Sequence, residues 1–276
     1  MKIQISLTVS EAKRLIAKAV AKLPEVIQAL ERGKVLLKGG TTVSAVAEEL
    51  AGLKLRICGR ISRRGTVSAK IVSGSHSHSV ILKKGKIANI DNEIVEVVKE
   101  LGRNDVIIIS GNALDSHYNV AMMAGSVSGG NPGFAFSGMV TEGAKIIIPI
   151  GLEKLIPGNI RHAIMAAGRK GVDRSHGMAT GLIPLIGKVI TEKEAVEIIA
   201  EVSCTIIGRG GIMGGEGSTV MAVEGLEDQV EKVWGLVEEI KGADLSGQKE
   251  SLPECDGANP RCRGHLACIY KRRKLL

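Results

Sequence analysis

The 276-residue sequence predicts an α/β protein, and three features of its pattern support this fold class. Apolar runs of strand length alternate with segments whose apolar residues recur at helical spacing. Two runs, DVIIISG and AKIIIPIG, show no polar alternation, as expected for parallel strands buried on both faces. The 35 glycines supply turns between these segments. We therefore predict a Rossmann-like, mostly parallel sheet with helices on both faces, followed by a smaller α+β unit.

The first elements follow from end signals in the sequence. Thr8 and Glu11 have the spacing of a capping box, which predicts a helix that runs to Leu30 with a break at Pro24. KVLLK is the next predicted strand, and TTVSAVAEELAGL is a helix that ends at Gly52. The strand KLRICGRI follows.

The middle of the chain contains both antiparallel and parallel signals. TVSAKIVSG and HSVILKKGKIANI alternate like antiparallel strands, and the second is a hairpin that turns at Lys84 and Gly85. NEIVEVVKELG is a helix, DVIIISG is a buried strand, VAMMAG is expected to be a short helix, and AKIIIPIG is a further buried strand.

The smaller unit begins after LIPGNI. Thr191 and Glu194 form a second capping box, and the segments that follow read helix, strand, strand and helix, an order typical of a ferredoxin-like layer. We predict an α/β ligand-binding domain at 1–158, an α+β domain at 159–242 and a basic, cysteine-containing tail at 243–276.

Composition and charge restrict the class of partner. The formal net charge of +8 favours an anionic partner, either a nucleic acid or a small metabolite. One Trp, two Tyr and two Phe offer few stacking surfaces, which makes nucleic acid the less favoured partner. No apolar stretch reaches the length of about 18 residues that a membrane span needs. We expect a cytoplasmic protein that does not contact a membrane.

The glycine-rich loop after KVLLK is a candidate anion site. Gly39 and Gly40 allow a close approach to the first turn of the following helix, where free N–H groups attract anions. Thr41 or Thr42 would cap the helix and hydrogen-bond a phosphate. The alternative is a tight strand-to-helix corner that binds nothing.

Polar residues also follow the most apolar strand. In the loop that also contains Gly111 as a ligand-binding candidate, Ser110, Asn112, Asp115 and His117 are expected to face the same cleft, because ligands of α/β sheets bind beyond the carboxyl ends of the strands. The alternative is an ordinary polar loop. A pair of histidines, His76 and His78, is a further candidate for a metal or a phosphate.

Three segments together resemble the superfamily of ribose-5-phosphate isomerase, glucosamine-6-phosphate deaminase and CoA transferases. These are ERGKVLLKGGTTVSAVAEELAG, RNDVIIISGNALD and GGNPGF with MVTEGAKIIIPIGLEKLIP, and the resemblance covers about residues 8–158. It implies a phosphate-binding Gly-Thr loop, an acidic catalytic loop after a later strand, and a glycine-rich segment, in which Gly129, Gly130 and Asn131 are expected to contribute to ligand binding. It also implies a homo-oligomer.

The catalytic acids of that superfamily are only partly present. Ser110 and Ala113 stand where the family places Asp, so the resemblance leaves Asp115 and Glu142 as the acid, base or nucleophile. We therefore predict an isomerase- or transferase-like enzyme that acts on a phosphorylated or CoA-linked small molecule. The alternative is a non-catalytic ligand-binding or regulatory protein.

The C-terminal tail is a candidate metal site. Cys255, Cys262, His265 and Cys268 provide soft ligands that suit zinc or an iron–sulfur cluster. A redox or free-thiol role is the alternative for the same cysteines. A third hypothesis for function is that the tail binds a nucleic acid or a protein partner.

Overall fold

The computed structural model describes residues 1–69, 76–253, 255, 262 and 264–271. Within them the strands are β1 (Lys2–Leu7), β2 (Lys34–Lys38), β3 (Gly59–Ser62), β4 (Gly65–Ser68), β5 (Ser79–Lys83), β6 (Lys86–Asn89), β7 (Val106–Ile109), β8 (Ala113–Leu114), β9 (Val120–Ala124), β10 (Lys145–Pro149), β11 (Gly181–Leu185), β12 (Lys188–Ile190), β13 (Val202–Gly210) and β14 (Ser218–Gly225). The α-helices are α1 (Val9–Ala21), α2 (Pro24–Arg32), α3 (Thr41–Ala51), α4 (Ile94–Lys99), α5 (Gly130–Thr141), α6 (Ile160–Ala166), α7 (Glu192–Ile199) and α8 (Glu227–Ile240).

The largest sheet is mixed, with the strand order β12-β10-β7-β2-β5-β6. Its β12, β10, β7 and β2 strands are parallel, whereas β5 pairs antiparallel with β2 and β6 pairs antiparallel with β5. The α/β class predicted from the sequence is confirmed. Because β2, β7 and β10 run in the same direction, their carboxyl ends meet at one edge of the sheet, and the loops that follow them lie side by side.

Alternate side chains of the central strands enter two different apolar clusters. Val35 and Leu37 of β2 pack with α1 and α3, whereas Leu36 packs with α4 and α5. The same division occurs in β7, where Ile108 joins the first cluster and Ile107 the second. Since strand side chains alternate between faces, this sheet is covered by helices on both sides, as the uninterrupted apolar runs predicted.

The predicted capping box, hairpin turn and helix end are confirmed, because each depends only on residues that are close in sequence. The Thr8 hydroxyl accepts a hydrogen bond from the Glu11 N–H, and the Glu11 carboxylate accepts one from the Thr8 N–H. The β5–β6 turn lies at Lys84 and Gly85, whose φ angles of 47° and 73° match a two-residue hairpin turn with left-handed residues. Gly52 ends α3 with a φ of 63°.

Two element predictions were wrong. VAMMAG is the strand β9 and not a helix, because it pairs with β8 and β11 in a separate antiparallel sheet. Ala and Met favour helices, and tertiary pairing overrides that preference here. In KLRICGRI the strand β3 begins only at Gly59 and pairs with β4 in a two-stranded hairpin. The end of the predicted strand TVSAKIVSG, residues 70–74, lies outside the described residues.

A three-stranded antiparallel sheet, in the order β1-β14-β13, packs with α7 and α8. Its middle strand pairs with the start of the chain, for example Ile5 with Met221. One apolar cluster contains residues from both sides of the boundary predicted at residue 158, including Leu15 and Val196. Among the residues described above, no helix is long and apolar enough to cross a membrane.

Candidate functional site

A cavity of about 1130 Å³ lies at the carboxyl edge of the central sheet. Its walls include the residues that follow three neighbouring parallel strands, namely Gly39–Thr41 after β2, Ser110–Asn112 after β7, and Glu153 with Lys154 after β10. The start of α5 adds Gly129, Gly130 and Asn131. This is the position where an α/β sheet usually binds its ligand.

Nine of the ten residues predicted to bind a ligand line this cavity. They are Gly39, Gly40, Thr41, Ser110, Gly111, Asn112, Gly129, Gly130 and Asn131. The exception is Thr42, which is fully buried and is not part of the cavity wall. Its Oγ1 atom has no hydrogen-bond partner among the described residues.

The two glycines of the Gly39–Thr42 loop differ in how much space is available for a side chain. A Cβ atom on Gly39 would lie 2.1 Å from the His78 carbonyl oxygen, to which the Gly39 N–H donates a hydrogen bond of 2.8 Å. Glycine at this position therefore permits a close approach between β2 and the segment before β5. Gly40 has extended backbone angles and open space around it, so a side chain fits there. The loop thus leaves the cavity side of Gly40 free.

The N-terminal end of α3 contributes a partial positive charge to the wall. Gly40 is the N-cap residue, no side chain caps this end, and the first turn contains no acidic residue. The Thr41 side chain belongs to the same turn and lines the cavity. Uncapped N–H groups and the helix dipole both attract an anion.

The cavity wall carries an excess of positive charge. Within the described residues, five basic and two acidic side chains line it: Lys13, Lys38, Arg56, Arg60 and Lys154 against Asp91 and Glu153. Arg56 and Asp91 form an ion pair of 2.8 Å. Asp91 also accepts hydrogen bonds from the N–H groups of His78 and Ser79, which fixes this pair in the wall.

Lys38 has the least neutralised ammonium group of the site. Its Nζ atom donates a hydrogen bond to the Met122 sulfur at 3.2 Å, and no carboxylate of the described residues pairs with it. A thioether sulfur is only a weak acceptor. Burial lowers the pKa of Lys38, because a charged group in a poorly hydrated site lacks compensation. An incoming anion would supply that compensation.

Lys13 and Lys154 share one carboxylate. Lys13 Nζ lies 3.2 Å from Glu153 Oε1, and Lys154 Nζ lies 3.9 Å from the same atom and 3.4 Å from Ser110 Oγ. Both oxygens of Glu153 are inaccessible to water, and neither has an aligned hydrogen bond among the described residues. The contact with Lys13 is therefore an ion pair without an aligned hydrogen bond. The carboxylate can still accept a proton, or a hydrogen bond from a hydroxyl group.

The pKa values of Lys154 and Glu153 are both lowered, for different reasons. Burial lowers the pKa of Lys154 to about 8, and the charges of Lys13 and Lys38 act in the same direction against the attraction of Glu153. Burial tends to raise the pKa of Glu153, but the neighbouring charges of Lys13 and Lys154 hold it below its usual value. At neutral pH the site contains an ionised carboxylate beside an amine that can exchange its proton.

Glu192 supports the turn that carries these two residues. It is the first residue of α7, it is fully buried, and both of its oxygens accept the Leu152 N–H at 3.1 and 2.8 Å. Burial raises the pKa of Glu192 to about 7, and the negative charge of Glu153 adds to this shift. Glu192 does not line the cavity and acts through the backbone of Leu152.

The two acids predicted to be catalytic lie elsewhere. Asp115 is buried away from the cavity wall, and its carboxylate accepts hydrogen bonds from the N–H groups of His117, Asn119 and Ile160. These bonds and that of the Asn119 side chain outweigh burial and lower the pKa of Asp115. Glu142 is exposed at the end of α5, next to Thr141. Neither carboxylate reaches the residues that line the cavity.

The tail residues are brought only partly together. Cys255 Sγ and Cys262 Sγ lie 3.9 Å apart, and the His265 N–H donates to the Cys262 carbonyl oxygen at 3.1 Å. His265 lines the cavity, whereas Cys268 forms an isolated β-bridge with Ser175. In the part of the chain that the structure describes, no group of three or more His, Cys, Asp or Glu residues could hold a metal ion. The zinc or iron–sulfur site remains a prediction.

The histidine pair is also divided between two environments. His78 lines the cavity, and its Nδ1 atom lies 2.8 Å from the Arg56 carbonyl oxygen. His76 is exposed and is not part of the cavity wall. The cavity therefore has access to one imidazole of the pair.

None of the seven charged side chains that line the cavity among the described residues was identified by the sequence argument. Lys38 directly precedes Gly39, and Glu153 and Lys154 follow the buried strand β10, so the rule that ligands bind at carboxyl ends would have identified them. Lys13 carries no such signal, because it reaches the cavity from α1. No protein-family model matches the chain, and neither a curated protein nor a solved structure does.

Proposed function

We propose that the protein binds a phosphorylated or CoA-linked small molecule in this cavity and acts on it as an isomerase- or transferase-like enzyme. The phosphate group lies against the Lys38 ammonium and the uncapped first turn of α3. Thr41 donates its hydroxyl, and the open side of Gly40 admits the anion. Lys38 and the α3 turn thus bind the substrate, and the carboxyl edge of the sheet orients it.

One observation carries this proposal: the cavity has five basic side chains against two acidic ones among the described residues. Lys38 in particular is partly buried with no carboxylate partner among the described residues, and because burying such a charge is costly, a bound anion is expected to offset the cost. The uncapped end of α3 acts in the same direction as the lysines. A sugar phosphate, a nucleotide and a CoA ester all carry the required group.

Glu153 and Lys154 take the catalytic roles in this proposal, in place of Asp115 and Glu142. Glu153 is ionised at neutral pH and has unused acceptor capacity, and its enclosed oxygens would reach the substrate as a base after a rotation of the side chain. Lys154 has a pKa of about 8, close to the value at which an amine both gives and accepts a proton. Together they would move a proton between neighbouring carbon and oxygen atoms of a bound substrate.

The likeness to the sugar-phosphate isomerase and CoA-transferase superfamily, with its Rossmann-like and ferredoxin-like parts, belongs to the same proposal. It is supported by the sequence of strand, Gly39–Gly40 turn and helix at β2 and α3, and by the position of β7 and β10 in the same sheet. A homo-oligomer, a cytoplasmic location and the absence of a nucleic-acid partner are further parts of the proposal, which rest on the resemblance and the composition.

The test is thermal melting of the purified protein with ribose 5-phosphate, ATP, acetyl-CoA and unphosphorylated ribose. A ligand that binds only the folded state stabilises it by about 2.7 kcal/mol at a hundredfold excess over Kd. We expect at least one phosphate compound, but not ribose, to raise the melting temperature. Lys38→Met should raise Kd roughly ten- to hundredfold, as loss of a charge-assisted hydrogen bond does.

Two matched variants control this experiment. Lys86→Met removes an equal charge from an exposed site on β6 and should leave Kd unchanged. Gly40→Asp fits the open space at the N-cap and places a carboxylate where the phosphate is proposed to bind, so it should abolish binding without unfolding the protein. A panel that leaves the melting temperature unchanged, or equal Kd values for Lys38→Met and Lys86→Met, would contradict the proposal.

A non-catalytic binding protein is the second candidate function. The positions of Asp115 and Glu142 favour it, because neither acid of the superfamily pattern lines the cavity. It predicts that a phosphate compound binds and is recovered chemically unchanged after prolonged incubation at high protein concentration. Isomerised or transferred product in that incubation would exclude it.

A further inference from the structure

Lys154 is placed like a reactive amine and not like a structural ion-pair lysine. Lys154 lines the cavity, and its side chain is 17% exposed. The nearest carboxylate oxygen, on Glu153, is 3.9 Å away and is closer to Lys13 at 3.2 Å. Lys154 therefore does not have a carboxylate of its own. Among the described residues, its ammonium group donates a hydrogen bond to the Ser110 hydroxyl at 3.4 Å.

The surroundings of Lys154 favour the neutral amine. Lys13 on α1 and Lys38 at the end of β2 both disfavour a further positive charge, whereas Glu153 and the buried Glu192 favour it. Burial is the largest effect and lowers the pKa to about 8, so about half of the Lys154 side chains are neutral at pH 8. Desolvation and neighbouring cations are the two means by which proteins make a lysine nucleophilic.

We propose that Lys154 forms a Schiff base with the aldehyde or ketone group of a phosphorylated substrate. This inference rests on the proposed function, because the phosphate bound at Lys38 and α3 would hold the carbonyl group in the cavity. It adds the chemical class of the substrate, a carbonyl phosphate, and a covalent step. A carbonyl compound with no anionic group lacks this anchor and should react more slowly.

The covalent step needs no oxidant or second substrate. The Nζ lone pair attacks the carbonyl carbon, and the electron pair of the C=O bond moves to the oxygen. Glu153 accepts a proton from the new ammonium group and returns it to the oxygen, which gives a neutral carbinolamine. That hydroxyl group takes one more proton from the solvent and leaves as water, while the nitrogen lone pair forms the C=N bond of the iminium ion. The iminium ion withdraws electrons from the neighbouring carbon, so a proton on that carbon becomes removable.

The experiment is reductive trapping with sodium borohydride. The full-length protein is incubated with dihydroxyacetone phosphate or glyceraldehyde 3-phosphate, reduced, and analysed by intact mass and peptide mapping. The mass should rise by that of the probe less one oxygen atom, on Lys154, with labelling roughly tenfold or more above that of any other lysine. Labelling should increase with pH through about 8, whereas an exposed lysine would react only above that range.

Two variants separate the nucleophile from the charge. Lys154→Arg keeps a positive charge but has no amine that can form an imine, so the phosphate-induced melting shift should persist while the adduct is lost. Lys154→Met is the second variant if the larger side chain disturbs folding. A melting shift without any Lys154 adduct would overturn the Schiff base and leave the proposed function intact. If the protein shows neither a melting shift nor an adduct, the proposed function and the Schiff base are both overturned. Equal labelling of many lysines would also overturn the Schiff base.

Discussion

Lys13 and Glu153 meet at 3.2 Å across 140 residues of sequence. Lys13 lies on α1, near the beginning of the chain, and Glu153 follows β10 at the carboxyl edge of the central sheet. Their side chains are 8% and 14% exposed. The pair joins the first helix to the floor of the cavity, and it sets the charge environment of Lys154.

Removal of Lys13 should raise the pKa of Lys154. In Lys13→Met the positive charge that opposes protonation of Lys154 is lost, so its reactivity toward borohydride trapping should shift to higher pH. Stability should also fall, since a buried carboxylate loses its nearest partner. The measurement is the midpoint of labelling against pH. Lys18→Met, from the same helix but with ion pairs to more exposed carboxylates, is the control and should leave that midpoint unchanged.

The two glycines of the Gly39–Thr42 loop should respond differently to alanine. Gly39→Ala places a Cβ atom 2.1 Å from a backbone oxygen and should destabilise the protein by about 1–3 kcal/mol, as overpacking does. Gly40→Ala meets no atom within 4 Å and should change stability by about 0.5 kcal/mol or less. Urea unfolding measures both. Equal losses of stability would show that the backbone of this loop differs from the one described.

Substitution of Thr41 should affect ligand binding, whereas substitution of Thr42 should affect stability. Thr42 is fully buried with an unpartnered Oγ1 among the described residues, so Thr42→Val should stabilise the protein by about 1 kcal/mol and leave the Kd for phosphate compounds unchanged. Thr41 lines the cavity, so Thr41→Val should weaken binding several-fold, as loss of one hydrogen bond does. Titration calorimetry and urea unfolding test the pair. Weaker binding in Thr42→Val would mean that its hydroxyl faces the ligand after all.

Glu192 should make the protein less stable as the pH rises. Its folded pKa of about 7 exceeds the ordinary value of 4.5, so the folded state holds a proton that the unfolded state releases. The stabilising contribution is complete below pH 4.5 and is lost as the pH rises to 7. Among the charged groups near Glu192, Glu153 raises its pKa and Arg209 lowers it, and Lys154 also interacts with its charge.

Glu192→Gln is the corresponding test. The amide oxygen still accepts the Leu152 N–H but does not ionise, so the variant should gain about 2–3 kcal/mol over the wild type at pH 8 and much less at pH 5. Urea unfolding at the two pH values measures this. A difference between variant and wild type that is the same at both would mean that Glu192 does not titrate in this range.

Local sequence signals predicted much of the fold. The capping boxes at Thr8 and Thr191, the turn at Lys84–Gly85 and the end of α3 at Gly52 depend on residues a few positions apart, and each lies where it was expected. The helix prediction for VAMMAG was wrong because its helix-favouring residues form β9, which pairs with the distant strand β11 as well as with the nearby β8. Propensity describes an isolated segment and cannot include a partner strand that is about 60 residues away.

The candidate site likewise contains some residues that the sequence predicted and others that only the tertiary structure identified. The sequence by itself determined the Gly39–Thr41 loop, the polar turn at Ser110–Asn112 and their common location, because the carboxyl ends of parallel strands meet at one edge. Only the tertiary structure decided which charges face the cavity. It buries Asp115 among backbone N–H groups and brings Lys13 from α1 to Glu153. Burial and the contact of distant side chains set the pKa values and charge of a site, and neither can be read from spacing along the chain.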